Sequence, residues 1–107
     1  MKHVLFVCSR NRRRSPTAEQ VFRDWPDIET ASAGLKPDAD EPLTPEMIDW
    51  ADLICVMESG HRRQLSRRFA GAIRNKRVVS LDIPDDYDYM APELVARLKA
   101  RVPPLLR

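Results

Sequence analysis

The residues with the most chemistry to offer stand near the start of the chain. The stretch Val4-Leu5-Phe6-Val7-Cys8-Ser9-Arg10-Asn11-Arg12-Arg13-Arg14-Ser15-Pro16 sets a cysteine ahead of an arginine and a serine in a Cys-x5-Arg-Ser pattern. A thiolate is both a strong nucleophile and the form of cysteine favoured near the positive end of a helix. Ser15-Pro16 reads as a helix start, with Ser15 as N-cap and Pro16 at the first helical position. The unpaired N–H groups of that turn can receive an anion, and a tight loop wrapped above it can add further donors. Arg14 can grip two oxygens of a phosphate with its planar fork, as a lysine cannot. Ser15 can also turn its hydroxyl toward the sulfur. Asn11 is a residue type that tolerates the left-handed backbone such a loop needs.

These groups need a strand and a helix to hold them, and the sequence supplies both. Val4 to Val7 is an unbroken apolar run rich in β-branched and aromatic residues, the pattern of a strand covered on both faces. Weaker or similar runs occur at Ile28 to Ser32, Leu53 to Met57 and Val78 to Leu81. Between them lie helical signals. Ala18, Val21, Phe22 and Trp25 share a face, and Pro26 stops that helix. Thr44-Pro45-Glu46 repeats the cap-and-proline signal. Leu65, Phe69, Ala72 and Ile73 mark one further helix, and Leu94, Val95, Leu98 and Val102 mark the last, closed by Pro103-Pro104. Strand and helix in alternation predict an α/β fold over 1–107 as a single domain. Its sheet is parallel and four-stranded, of order 2-1-3-4, with helices on both faces and the cysteine loop at the switch point between the first strand and first helix. The longest loop is 35–43.

Composition fits a compact, charged chain: 107 residues, 43% hydrophobic, 32% charged, net charge +2. That net charge does not argue for nucleic acid, and the basic run His61-Arg62-Arg63 with Arg67-Arg68 lacks interleaved aromatics for base stacking. It reads as an exposed helix face. His3 and His61 lack metal-site spacing, and the two cysteines are too few for a disulfide scaffold. No cofactor or metal is expected. The apolar run after Met1 is short for a secretory leader and no stretch is long enough for a membrane span, so no membrane partner and a cytoplasmic location are expected. Cys55 falls mid-strand and reads as core, as do Trp25 and Trp50.

With those residues in view, the segment around Cys8 resembles the phosphate-binding loop of the low-molecular-weight protein tyrosine phosphatases. Ser32-Ala33-Gly34 is similar to that family's Ser-Ala-Gly after the second strand, Thr44 through Met57 to its short helix and third strand, and Ile83-Pro84-Asp85-Asp86-Tyr87 to its Val-Pro-Asp-Pro-Tyr acid loop. Met57-Glu58 stands where the family usually has Met-Asp. Two stretches of the family pattern are absent, a longer one between Gly34 and Thr44 and a shorter one between Leu81 and Asp85; the longer one includes aromatic residues that line the family's cleft. The resemblance implies hydrolysis of phosphomonoesters, phosphotyrosine first among them, on a phosphorylated protein or a small phosphoester. Cys8 is then the nucleophile of a phosphocysteine mechanism, Arg14 the charge stabiliser and Asp85 the general acid. Asp82, Asp86 and Asp88 rival Asp85 because the loop is short. Ser9, Arg10, Asn11, Arg12, Arg13 and Ser15 are expected to contact substrate, with Tyr87 (and Tyr89) as an aromatic wall. The shortened cleft is expected to leave Arg10 and Arg12 facing the substrate. A phosphate-binding module without turnover and an arsenate-reductase-like protein are the alternatives; the second needs further redox cysteines.

Overall fold

A computed structural model describes residues 1–106. Strand β1 (Lys2–Cys8) is the sheet's hub: its central residues present Val4, Phe6 and Cys8 to one face and Leu5 and Val7 to the other, all buried. An unbroken apolar run needs cover on both faces, and both are covered. β1 pairs in parallel with β2 (Ile28–Gly34) on one side and β3 (Leu53–Val56) on the other, and β3 pairs with β4 (Arg77–Ser80). The order is β2-β1-β3-β4, as the sequence predicts.

Helices α1 (Arg14–Phe22) and α5 (Pro92–Arg101) close one face around Phe6, Phe22, Leu53, Ile83, Leu94 and Leu98. Helices α2 (Pro45–Trp50), α3 (Ser59–Arg68) and α4 (Ala70–Ile73) close the other around Leu5, Ile48, Ile54 and Leu65. Thr44 caps α2, its hydroxyl accepting from the Met47 N–H at 3.3 Å, with Pro45 at the first helical position. The single helix expected around Leu65 to Ile73 is broken at Phe69, whose φ of −131° leaves the helical region. α5 passes into a 3-10 turn at Pro103–Leu106.

Helix α1 ends at Phe22, so Trp25 lies beyond it and packs edge-on to the Phe22 ring at 4.9 Å between centroids. Trp50 stacks on His3 at 4.4 Å. Cys55 is buried in β3 opposite Phe6, and burial pushes its thiol up to about 12 against a small lowering by Arg77. It is a core residue. Among the described residues, no helix is long and apolar enough to cross a membrane.

Candidate active site

β1 ends at Cys8 and α1 begins at Arg14, so the residues between turn back over the helix N-terminus. Asn11 makes that turn with φ 57°, the left-handed conformation expected of it. The loop's carbonyls are pinned outward by the 35–40 segment. The Leu35 N–H donates to the Cys8 carbonyl, Lys36 N–H to that of Ser9, and Asp40 N–H to that of Arg10, at 2.9, 2.9 and 3.1 Å. Carbonyls held on one side leave the N–H groups of those peptides turned to the other, toward the sulfur, in the manner of an anion nest. Gly34 permits the packing. A Cβ there would stand 2.5 Å from Ala39 Cβ and 2.8 Å from the Ser9 carbonyl oxygen.

The sulfur itself has two polar neighbours. The Asn11 N–H donates to Cys8 Sγ at 3.2 Å, and Ser15 Oγ lies 2.9 Å from it. The Asn11 side-chain amide donates to Ser15 Oγ at 2.9 Å, fixing that hydroxyl against the sulfur. Ser15 is therefore not the helix cap. The cap position belongs to Arg13, without a side-chain bond, and Ser15 sits inside the first turn because its hydroxyl is taken by the sulfur and Asn11.

Arg14 is 3% exposed. Its Nη1 donates to Glu58 Oε2 at 2.9 Å and to the Ile83 carbonyl at 2.8 Å, while Nε faces Asp85 Oδ1 at 3.7 Å. One end of the fork is thus anchored, and its Nε side faces Asp85. Glu58 stands two residues beyond β3 and caps α3 jointly with His61. That pairing buries His61, against the expectation of an exposed basic face. Its Nδ1 accepts from the Glu58 N–H at 3.2 Å and its Nε2 meets Ser9 Oγ at 3.0 Å. Burial, and then the nearby Arg14, hold His61 below its ordinary 6.5, while Glu58 and Asp85 pull the other way.

A cavity of about 330 Å³ opens over the sulfur, lined by Cys8, Ser9, Arg10, Arg12, Arg13, Arg14, Lys36 and Asp85. Of the four candidate acids, only Asp85 lines it. Asp82 takes a φ of 54°, accepts from the Ser80 hydroxyl and gives its carbonyl to Arg101, a turn role that points it elsewhere. Asn11 and Ser15 hold the loop and sulfur from behind, outside the lining. Tyr87 is also outside it: the ring packs against the α1/α5 side of the core with the Arg97 guanidinium 5.8 Å above. Arg10 and Arg12 line the cavity, yet each is drawn to the 35–43 loop, Arg10 to Asp38 at 3.6 Å and Arg12 to Asp40 at 3.3 Å. Lys36, Glu58 and His61 are the site residues that sequence reasoning missed. Glu58 and His61 carry a signal, an acid three residues before a histidine at a helix start.

No family model and no curated protein sequence matches the chain. Solved structures do. The YwlE arginine phosphatase from Geobacillus stearothermophilus is 25% identical, covering 99% of this chain and 93% of its own, with a TM-score of 0.76. Wzb from Vibrio vulnificus, solved with benzylphosphonate, is 26% identical over 92% of this chain and 90% of its own, with a TM-score of 0.72. The low-molecular-weight protein tyrosine phosphatase SP-PTP from Streptococcus pyogenes shares the fold, with a TM-score of 0.80 over 100% of this chain and 95% of its own, at 17% identity. With its sheet order and these likenesses together, the chain has the fold of the low-molecular-weight protein tyrosine phosphatases, and its cysteine loop resembles theirs.

Proposed function

We propose that the chain hydrolyses phosphomonoesters through Cys8. The observation that carries this reading is the placement of the Cys8 sulfur in a cavity whose other polar lining is four arginines, one lysine, one serine and a single carboxylate. An incoming phosphate monoester, bound as its monoanion, displaces the Asp85 carboxylate from Arg14, passes it its proton, and lies as the dianion between Nε, Nη2 and the loop amides. The sulfur attacks phosphorus, the S–P bond forms, and the bond to the leaving oxygen breaks as that oxygen takes a proton from Asp85. Asp85, now a carboxylate, accepts a proton from water. The water oxygen attacks phosphorus, the S–P bond breaks, and inorganic phosphate leaves. Charge on the equatorial oxygens is met by the Arg14 side chain and by the main-chain N–H groups of Arg14 and Ser15, which open α1 and have no intrahelical acceptors. Asn11 and Ser15 steady the sulfur as it leaves phosphorus.

The proposed substrate is a phosphotyrosine-like aryl ester. A second reading, phosphoarginine, is favoured by two observations: none of the residues lining the cavity is aromatic, and similar structures are named arginine phosphatases. An arsenate-reductase-like mechanism has nothing to draw on in Cys55, which is buried with its thiol proton firmly held.

The test is steady-state turnover of an aryl phosphate, phosphotyrosine and phosphoarginine by the purified chain beside Cys8→Ser. Turnover lost in Cys8→Ser and untouched by a chelator supports the mechanism. Turnover that survives the substitution sinks it, and phosphate binding without turnover by the unaltered chain leaves a binding module.

A further inference from the structure

His61 is buried against the back of the cysteine loop and belongs to no step of the mechanism above. Its hydrogen bonds have a direction that can be read along the chain of atoms. The Glu58 main-chain N–H can only donate, so His61 Nδ1 is the acceptor of that 3.2 Å bond. A neutral imidazole with Nδ1 accepting carries its proton on Nε2. That proton faces Ser9 Oγ at 3.0 Å, nearer than Glu58 Oε2 at 3.5 Å. Ser9 Oγ is therefore the acceptor, and its own hydrogen must turn to something else. Ser9 lines the cavity.

We propose that His61 is a positioning residue that holds the Ser9 hydroxyl as a hydrogen-bond donor aimed at the phosphate in the Cys8 cavity. The same direction rules out Ser9 and His61 as a nucleophile and base, since Nε2 has no lone pair to take the hydroxyl proton. The arrangement requires a neutral ring. A second proton would sit on Nδ1 and confront the Glu58 N–H, donor against donor. The charged groups facing the ring are Arg14 from α1, Glu58 before α3 and Asp85 from the acid loop. Burial and Arg14 outweigh the two carboxylates, so the ring stays neutral at neutral pH. His61 also ties two parts of the site together: one nitrogen holds a loop residue, and the other holds the main chain of Glu58, whose carboxylate anchors Arg14.

The inference rests on the reading that the cavity takes a phosphate, so its test measures binding of inorganic phosphate as well as turnover. In side-chain reach, glutamine can stand in for the Nε2 donor and asparagine for the Nδ1 acceptor. Ser9→Ala and His61→Asn should each weaken phosphate binding about tenfold, the equivalent of one hydrogen bond to a charged group. The double variant Ser9→Ala/His61→Asn should be no weaker than either alone, because both remove the same donor. His61→Gln should retain most of the phosphate affinity while losing more thermal stability than His61→Asn, since it gives up the α3 cap. Additive losses in the double variant, or His61→Asn lowering the melting temperature alone, would overturn the proposal. Should His61→Asn fail to fold, unchanged phosphate affinity in Ser9→Ala overturns it equally. A chain that binds phosphate with this pattern and does not turn over an ester would refute the catalytic reading and leave this one standing.

Discussion

Arg14→Lys isolates what the planar fork does in the site. Arg14 is buried, and its Nη1 alone satisfies both Glu58 and the Ile83 carbonyl. A lysine ammonium has three protons and can keep those two partners, so the charge remains buried and paired and the fold should survive. What it cannot do is present a second pair of parallel donors to an anion. The loss is therefore two charge-assisted hydrogen bonds, at about 1.5–3 kcal/mol each. If both are made in the transition state, the sum of about 3–6 kcal/mol corresponds to a fall in kcat/KM of about 10²-fold or more. The assay is aryl phosphate hydrolysis under saturating and subsaturating substrate, with the inhibition constant of inorganic phosphate measured beside it. A fall concentrated in kcat places the bonds in the transition state; a fall in phosphate affinity places them in the ground state as well. Unchanged kcat/KM together with unchanged phosphate inhibition would show that Nε and Nη2 do not meet the anion.

Three further outcomes are expected. Asp85→Asn should slow hydrolysis most for esters with poor leaving groups, which need the proton, while Asp82→Asn should leave that dependence alone; the reverse pattern in a leaving-group series would move the acid to Asp82. Gly34→Ala should cost about 1–3 kcal/mol by denaturant unfolding, because its Cβ meets Ala39 Cβ and the Ser9 carbonyl at distances no side chain tolerates; a fully stable variant would mean the loop yields without strain. Stability should decline as pH falls. His61 has a lower value in the folded chain than its ordinary 6.5, so the unfolded chain takes the proton first. The stability tied to its neutral form is complete above 6.5 and is lost as pH drops from there through the folded value. His61→Asn should flatten that part of the profile, and an unaltered profile in the variant would assign the loss to other groups.

The features that sequence reasoning caught are those written in short-range pattern. β1 announces itself because a hub strand of a parallel sheet must be apolar on both faces, and Asn11 because few residues accept its backbone angle. Thr44-Pro45 marks a helix start because both act within one turn. The misread features depend on partners far along the chain. Ser15 looks like a cap until the sulfur seven residues earlier claims its hydroxyl. Arg10 and Arg12 do line the cavity, but their pairing with Asp38 and Asp40 is not written near them. His61 sits in a run of arginines and reads as surface. It is buried because it follows Glu58 by three residues and precedes Leu65 by four, which sets it on the inner side of α3. Tyr87 could face the cavity or the core on sequence grounds, and packing against the core beside Arg97 decides it.

The cysteine loop is seven residues long from Cys8 to Arg14, but its shape is held from elsewhere: by the 35–40 segment behind its carbonyls, by His61 behind Ser9, and by Glu58 and Ile83 behind Arg14. None of these supports exists in an unfolded chain, so the anion site and the fold are one equilibrium. Any oxyanion that fits the loop then acts as a ligand of the native state alone. At a hundred times its dissociation constant such a ligand adds about 2.7 kcal/mol to stability. If the cavity takes phosphate as proposed, occupancy can be read from a melting curve with no substrate and no turnover, and a phosphate buffer should both protect the protein and occupy its cavity.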